Sequence, residues 1–282
     1  FFRRIDIIMV SGSEFKKRLR SGQLLLGTML ALFRNPKWVS SISNLNFDFA
    51  VIDSEHAPRD RMEISDLVSA FRNTNTVPIV RVPGVSSHHV TQAIDLGAAG
   101  VIIPYCETVE QVKSVVGAAK WNPLKGIALE KVMDNNDFPS LETKKYLENE
   151  NKDVICIVGI ESVFAVENLS KILEIQGIDA VFVGPNDLSI SMGIPRDFSN
   201  PKYDQMLEKI LSLCEEKSVP LMVHHQTVEL QKKWIKKGVK FVLYTTDEKA
   251  LNSTMRNEFN ILREVGGLSG DEKFIEDIQV KI

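Results

Sequence analysis

"FDFAVIDSEHAPRD", residues 47–60, runs from a continuous apolar stretch directly into Asp53, Glu55, His56, Arg59 and Asp60. A strand with one face in water alternates apolar and polar residues, whereas a strand covered on both faces reads as an unbroken apolar run. This one is therefore covered on both sides, and it delivers acids and a histidine where Gly, Asn or Ser would normally make a turn. Parallel sheets with helices on both faces have such strands, and their functional groups gather at the strands' carboxyl ends.

Working outward, similar runs recur at 24–30, 77–82, 100–105, 126–129, 154–161, 180–184, 219–225 and 240–246. Amphipathic patterns lie between them at 63–73, 87–98, 108–120, 164–175 and 204–217. Of the nine strand candidates, 126–129 ("GIAL") is the shortest and follows the loop-like "WNPLK", so it is the one to drop. Eight strand–helix repeats joined by right-handed crossovers predict a closed (β/α)8 barrel, the TIM barrel. An open doubly wound sheet is the alternative. The first turn, "LGTML", lacks the GxGxxG pattern, so a dinucleotide site is unsupported.

No Pro-, Gly- or Ser-rich linker divides the 282 residues. We expect an N-terminal extension and entry helix over 1–18, one catalytic barrel over 19–265, and a charged tail over 266–282. Met9 is a candidate natural start, and 134–152 reads as a polar excursion forming a lid or rim helix. With 34 basic against 37 acidic residues the net charge is −3, which excludes an electrostatic nucleic-acid binder. No run of ~18 apolar residues suggests a membrane span. Three widely spaced cysteines, Cys106, Cys156 and Cys214, suit free thiols in a reducing cytoplasm better than disulfides or zinc.

Read at the strand ends alone, scattered polar residues become a set: Asp53, Glu55 and His56, then Arg81, Glu161 and, in "GPNDLS", Asp187. Glu161 and Asp187 end consecutive strands, and neighbouring strands lie ~4.8 Å apart, so both carboxylates can reach one ion. Two carboxylates with room for further oxygens suit Mg²⁺ or Mn²⁺. The same residues also fit a helix N-cap and a turn former. Arg81, in a buried-type strand, needs an anion: either a substrate carboxylate or enolate, or a barrel acid such as Asp53. His56 is a candidate base whose tautomer a second acid would hold, with Asp95 in "QAIDLGAAG" as the candidate partner. Adjacent histidines, 88–89 and 224–225, point to opposite faces of a strand and are poor chelating pairs.

"FDFAVIDSEHAP", "PIVRVPG", "QAIDLGAAGVIIPYCET", "CIVGIES" and "GIDAVFVGPNDLSISMG" together resemble the HpcH/HpaI aldolases, the metal-dependent (class II) pyruvate aldolases, over about residues 20–265. The resemblance implies a barrel of the phosphoenolpyruvate/pyruvate-binding type, assembled as a hexamer built as a trimer of dimers. It implies a divalent cation (Mg²⁺ or Mn²⁺, with Co²⁺ a further candidate) on Glu161 and Asp187. Arg81 would steady the enolate, and His56, coupled to Asp95 and Asp53, would handle the proton. The Gly184–Pro185–Asn186 turn would receive the carboxylate of a small oxo-acid substrate. The implied activity is cleavage of a 4-hydroxy-2-oxo acid to pyruvate and an aldehyde. Two departures, Ala128 where the family tends to carry Arg and Gly159 where it tends to carry Gln, alter the acceptor half of the site. They keep open an enolate-based synthase or oxaloacetate decarboxylase, and a non-catalytic keto-acid-binding paralogue.

Overall fold

A computed structural model describes residues 10–267; the expected extension over 1–8, the start at Met9 and the tail from 268 onward lie outside the described residues. Eight parallel strands close into one barrel in chain order. They are β1 (Leu25–Leu30), β2 (Phe49–Asp53), β3 (Val77–Arg81), β4 (Gly100–Ile103), β5 (Ile155–Gly159), β6 (Ala180–Val183), β7 (Leu221–His225) and β8 (Phe241–Thr246). The helices are α1 (Gly12–Arg20), α2 (Lys37–Ile42), α3 (Arg61–Phe71), α4 (Ser87–Asp95), α5 (Val109–Lys120), α6 (Gly126–Asn135), α7 (Leu141–Asn151), α8 (Val163–Ile172), α9 (Pro185–Ser191), α10 (Pro201–Glu216), α11 (Val228–Lys236) and α12 (Asp247–Val265). The (β/α)8 expectation holds, and the alternative open sheet does not.

The period of two along each strand divides the apolar side chains into two cores. One set, including Leu25, Phe49, Val51, Ile79, Ile102, Ile157, Phe182, Met222 and Leu243, fills the barrel. The alternate set, including Ala50, Ile52, Val101, Val158, Val183 and Val223, packs against the surrounding helices. The entry helix α1 closes the bottom, where Phe15 meets Phe49 and Phe241 edge-on at 6.0 and 5.8 Å between ring centres. Helix starts follow local chemistry. Asp60–Glu63 and Thr108–Gln111 form reciprocal capping boxes on α3 and α5.

The run at 126–129 is helical, as its rejection from the strand set requires: it opens α6, which packs on α5 beside Gly117. The excursion over 134–152 carries the end of α6 and then α7. Among the described residues no helix is long and apolar enough to cross a membrane.

Candidate active site at the barrel mouth

The side chains pointing into the barrel on β2 and β3 end in charge. Asp53 is paired in register with Arg81, and the Arg81 Nε donates to Asp53 Oδ1 at 2.8 Å. Glu55, two residues past the strand, lies 3.0 Å from Arg81 Nη1. Burial opposes ionisation of Asp53, but the hydrogen bond and charge of Arg81 outweigh it and hold the carboxyl below its usual range. Arg81 is only 7% exposed. For that guanidinium, burial works against the charge, and Asp53 with Glu55 more than restores it. Of the two readings of Arg81, the pairing to barrel acids is what the structure shows, and that pairing fixes its fork at the mouth.

Arg59 secures the rim from below. Its guanidinium donates to the carbonyls of Asp53, Leu30 and Phe33 at 3.1, 3.1 and 2.9 Å. Asp247, at the head of α12, accepts from the amides of Ala31, Leu32 and Phe33. The loop after β1 is thereby tied to β2 and to the last helix, which fixes one wall of the mouth.

Glu161 follows β5 and is 1% exposed. Burial and then the neighbouring Glu55 carboxylate push it up to about 8, with Asp187 adding to the repulsion and Arg81 opposing it. Among the described residues its Oε1 has no hydrogen-bond partner. The carboxylate fills space that two glycines leave open. A Cβ on Gly159 would stand 2.6 Å from Oε1, and one on Gly184 would stand 2.6 Å from Oε2. Asp187 sits in the first turn of α9, directly after the Gly184–Pro185–Asn186 turn. Three acids therefore share one neighbourhood: Glu55 is also raised, by burial first, against the pull of Arg81.

An orphaned, buried carboxylate oxygen beside a second acid fits a hard divalent cation, because both donors are anionic oxygens. Among the described residues no three His, Cys, Asp or Glu side chains converge as a preformed cage. A two-carboxylate set of this kind leaves the other positions around a cation for water and substrate oxygens.

His56 stands at the rim with its side chain 43% exposed and its Nε2 3.6 Å from Glu55 Oε2. Asp95 does not join it. Helix α4 runs back down the barrel, so its last residue lies near the strands' amino ends, where Asp95 is exposed and accepts from Asn122 Nδ2 at 3.4 Å. Within this chain the acid beside His56 is Glu55 rather than Asp95. Ala128 sits in the first turn of α6.

Sequence reasoning left two mouth residues unassigned. Tyr105, two residues past β4, has a left-handed backbone (φ 53°), and its backbone amide favours the charged form of Glu161. His224, on β7, is 9% exposed with its Nδ1 3.0 Å from the Leu243 carbonyl. Its signal was present as a polar residue at the carboxyl end of an apolar strand.

A family model described as HpcH/HpaI aldolase/citrate lyase matches residues 28–253. A hydroxypyruvate/pyruvate aldolase from Roseovarius nubinhibens is 32% identical over 204 residues, covering 71% of this chain and 77% of that protein. A 2-keto-3-deoxy-L-rhamnonate aldolase from Salmonella gallinarum is 31% identical over 202 residues, 71% and 74% of the two chains. The crystal structure of an HpcH/HpaI aldolase from Desulfitobacterium hafniense superposes with a TM-score of 0.78 at 30% identity, covering 90% of this chain and 98% of that one. The chain belongs to the HpcH/HpaI aldolase/citrate lyase family.

Proposed function

We propose that this member of an enzyme family whose named relatives are aldolases is a divalent-cation-dependent carbon–carbon lyase. In this reading it cleaves a 4-hydroxy-2-oxo acid to pyruvate and an aldehyde. The observation that carries it is the buried, unpartnered Glu161 Oε1, set among Glu55 and Asp187 with the fixed Arg81 guanidinium alongside. Glu161 and Asp187 would hold the cation (Mg²⁺, Mn²⁺ or Co²⁺), which supplies Lewis-acid polarisation of the 2-oxo group.

The chain's own residues do the rest. Arg81, already locked by Asp53 and Glu55, presents fixed donors to the oxygen on which enolate charge develops, with no reorganisation during the reaction. His56, oriented by Glu55, takes the proton from the 4-hydroxyl as the C3–C4 bond breaks. The electrons of that bond become the enolate, and returning the proton to C3 completes pyruvate. The turn of Gly184, Pro185 and Asn186 receives the oxo acid's carboxylate; Pro185 has no N–H, so the amides of Asn186 and Asp187 are the donors there.

Gly159 favours a second reading of the acceptor half. With Glu161 occupying the space over it, no side chain from that position reaches the substrate. An enolate-based synthase or oxaloacetate decarboxylase on the same scaffold is consistent with that change. The homohexameric assembly implied by the resemblance and a cytoplasmic location belong to the same proposal.

Pyruvate release from a 4-hydroxy-2-oxo acid tests it, measured with added Mn²⁺, with EDTA, and in Glu161→Gln. Both interventions are expected to cost about a hundredfold or more. Activity that persists through both overturns the reading. Release of carbon dioxide from oxaloacetate without aldehyde-forming cleavage favours the second reading.

A further inference from the structure

His224 lies in the same row of the barrel as the proposed cation-binding acid. On β7 the interior-facing residue before it is Met222, so a period of two turns His224 inward as well. The register Phe182↔Met222 and Val183↔Val223, continued by one residue, sets Gly184 beside His224. The register Gly159↔Phe182, continued by two, sets Glu161 beside Gly184. Glu161 and His224 are thus separated along this row by a residue without a side chain. The exposure His224 retains, 9%, comes from an inward-facing position at the strands' carboxyl ends, where solvent enters through the mouth.

Its tautomer follows from its partner. Nδ1 lies 3.0 Å from the Leu243 carbonyl, which can only accept, so Nδ1 carries the proton and Nε2 presents a lone pair. Burial keeps the ring neutral, lowering it to about 4 against the support of the Leu243 carbonyl. The nearby cations are already engaged: Arg81 by Asp53 and Glu55, and Lys249 by the side-chain oxygen of Gln226 at 2.6 Å. Among the described residues the two cations near His224 already hold hydrogen-bond partners, so what His224 adds to this side of the mouth is a fixed neutral acceptor. A hydroxyl satisfies it; a carboxylate, itself only an acceptor, does not.

We propose that His224 determines specificity on the acceptor side of the site, its Nε2 accepting a hydrogen bond from a hydroxyl on the fragment that leaves as the aldehyde. The inference rests on the aldolase reading, and the substrate class it names is an oxo acid hydroxylated beyond the cleaved bond, whose aldehyde product is an α-hydroxyaldehyde.

The test compares glycolaldehyde with propanal, similar in size and differing by the hydroxyl, as acceptors for pyruvate with Mn²⁺. The wild type is expected to prefer glycolaldehyde in kcat/KM by about tenfold or more, as sites that bind a substrate hydroxyl do. His224→Asn can still donate to Leu243 but lacks Nε2, and in it the preference falls to within about threefold. His224→Phe makes the same prediction without relying on that donor, since Gln231 Nε2 also donates to the Leu243 carbonyl at 2.8 Å. An unchanged preference in either folded variant overturns the proposal, and so does a wild type that accepts both aldehydes equally. Exchange of the pyruvate methyl protons for deuterium, followed by NMR in the wild type, separates the two levels. Its absence means the enolising chemistry itself is wrong, and its presence without hydroxyl preference sinks only the role of His224.

Discussion

At Glu161 a carboxylate is wedged between two glycines, and the room it occupies is room their missing side chains leave. Gly159→Ala makes this measurable. Its Cβ would meet Glu161 Oε1 at 2.6 Å and, less forgivingly, the Ile103 backbone carbonyl at 2.9 Å. The carboxylate end can swing away; the carbonyl cannot without moving the end of β4. Overpacking of this kind costs about 1–3 kcal/mol. Thermal melting should show a lower but still cooperative transition, and calorimetry with Mn²⁺ should show weaker binding because Glu161 is displaced. A variant that binds Mn²⁺ as the wild type does would separate Glu161 from the cation. Much of this site was legible beforehand: Asp53, Arg81, Glu161 and Asp187 are polar residues ending apolar runs, and the barrel brings strand ends together. Glu55 was seen but not assigned to Arg81, because its contact depends on the β2–β3 register and on the turn that folds it back. Those are facts of three dimensions that neighbours along the chain do not encode.

Strand β7 ends in two histidines whose environments differ because a strand turns alternate residues to opposite faces. His224 faces the mouth. His225 faces outward among Phe198 and Tyr203, with ring centres 5.9 and 6.0 Å away, and among the described residues neither of its nitrogens has a hydrogen-bond partner. The sequence reading of the pair as unable to chelate together follows from this geometry, but nothing in it distinguished their surroundings. Burial is the main cause for both, lowering His224 to about 4 and His225 to about 3 from the ordinary 6.5. The unfolded chain takes up protons at these rings as pH falls below about 6.5, while the folded chain resists until it reaches the lowered values. Stability present above 6.5 is therefore lost as pH falls toward 4 and 3. Melting temperature should decline across that window. Replacing His225 by Leu removes one of the two rings and an imidazole with no bonds to lose. His225→Leu should melt no lower than wild type at pH 7 and higher than wild type at pH 4.5. Equal acid sensitivity in the two proteins would assign the loss to other groups.

For the molecule as a whole, the alternation of rising strands and returning helices decides which residues can meet. It gathers Asp53, Arg81, Glu161 and Asp187 at one end and carries Asp95 to the other, a distinction recoverable from the direction of α4 once the barrel is assumed. Helix α12, the last described helix, follows β8 and lies largely off the barrel. Among its residues only Asp247 is buried. Leu251, Met255, Phe259, Leu262 and Val265 recur at helical spacing, and each is 41% exposed or more. A stripe at that spacing is the face a helix normally buries, and exposed apolar patches of this kind mark association surfaces. With the hexamer implied by the resemblance, the proposed cover is a second copy of this chain. Phe259→Glu combined with Leu262→Glu places two charges in the middle of the stripe without touching the mouth. Sedimentation velocity should then show a smaller species than the wild-type assembly, with the far-ultraviolet circular dichroism of the barrel retained. If the double variant sediments as the wild type does, α12 does not hold copies together and the proposed cover is wrong.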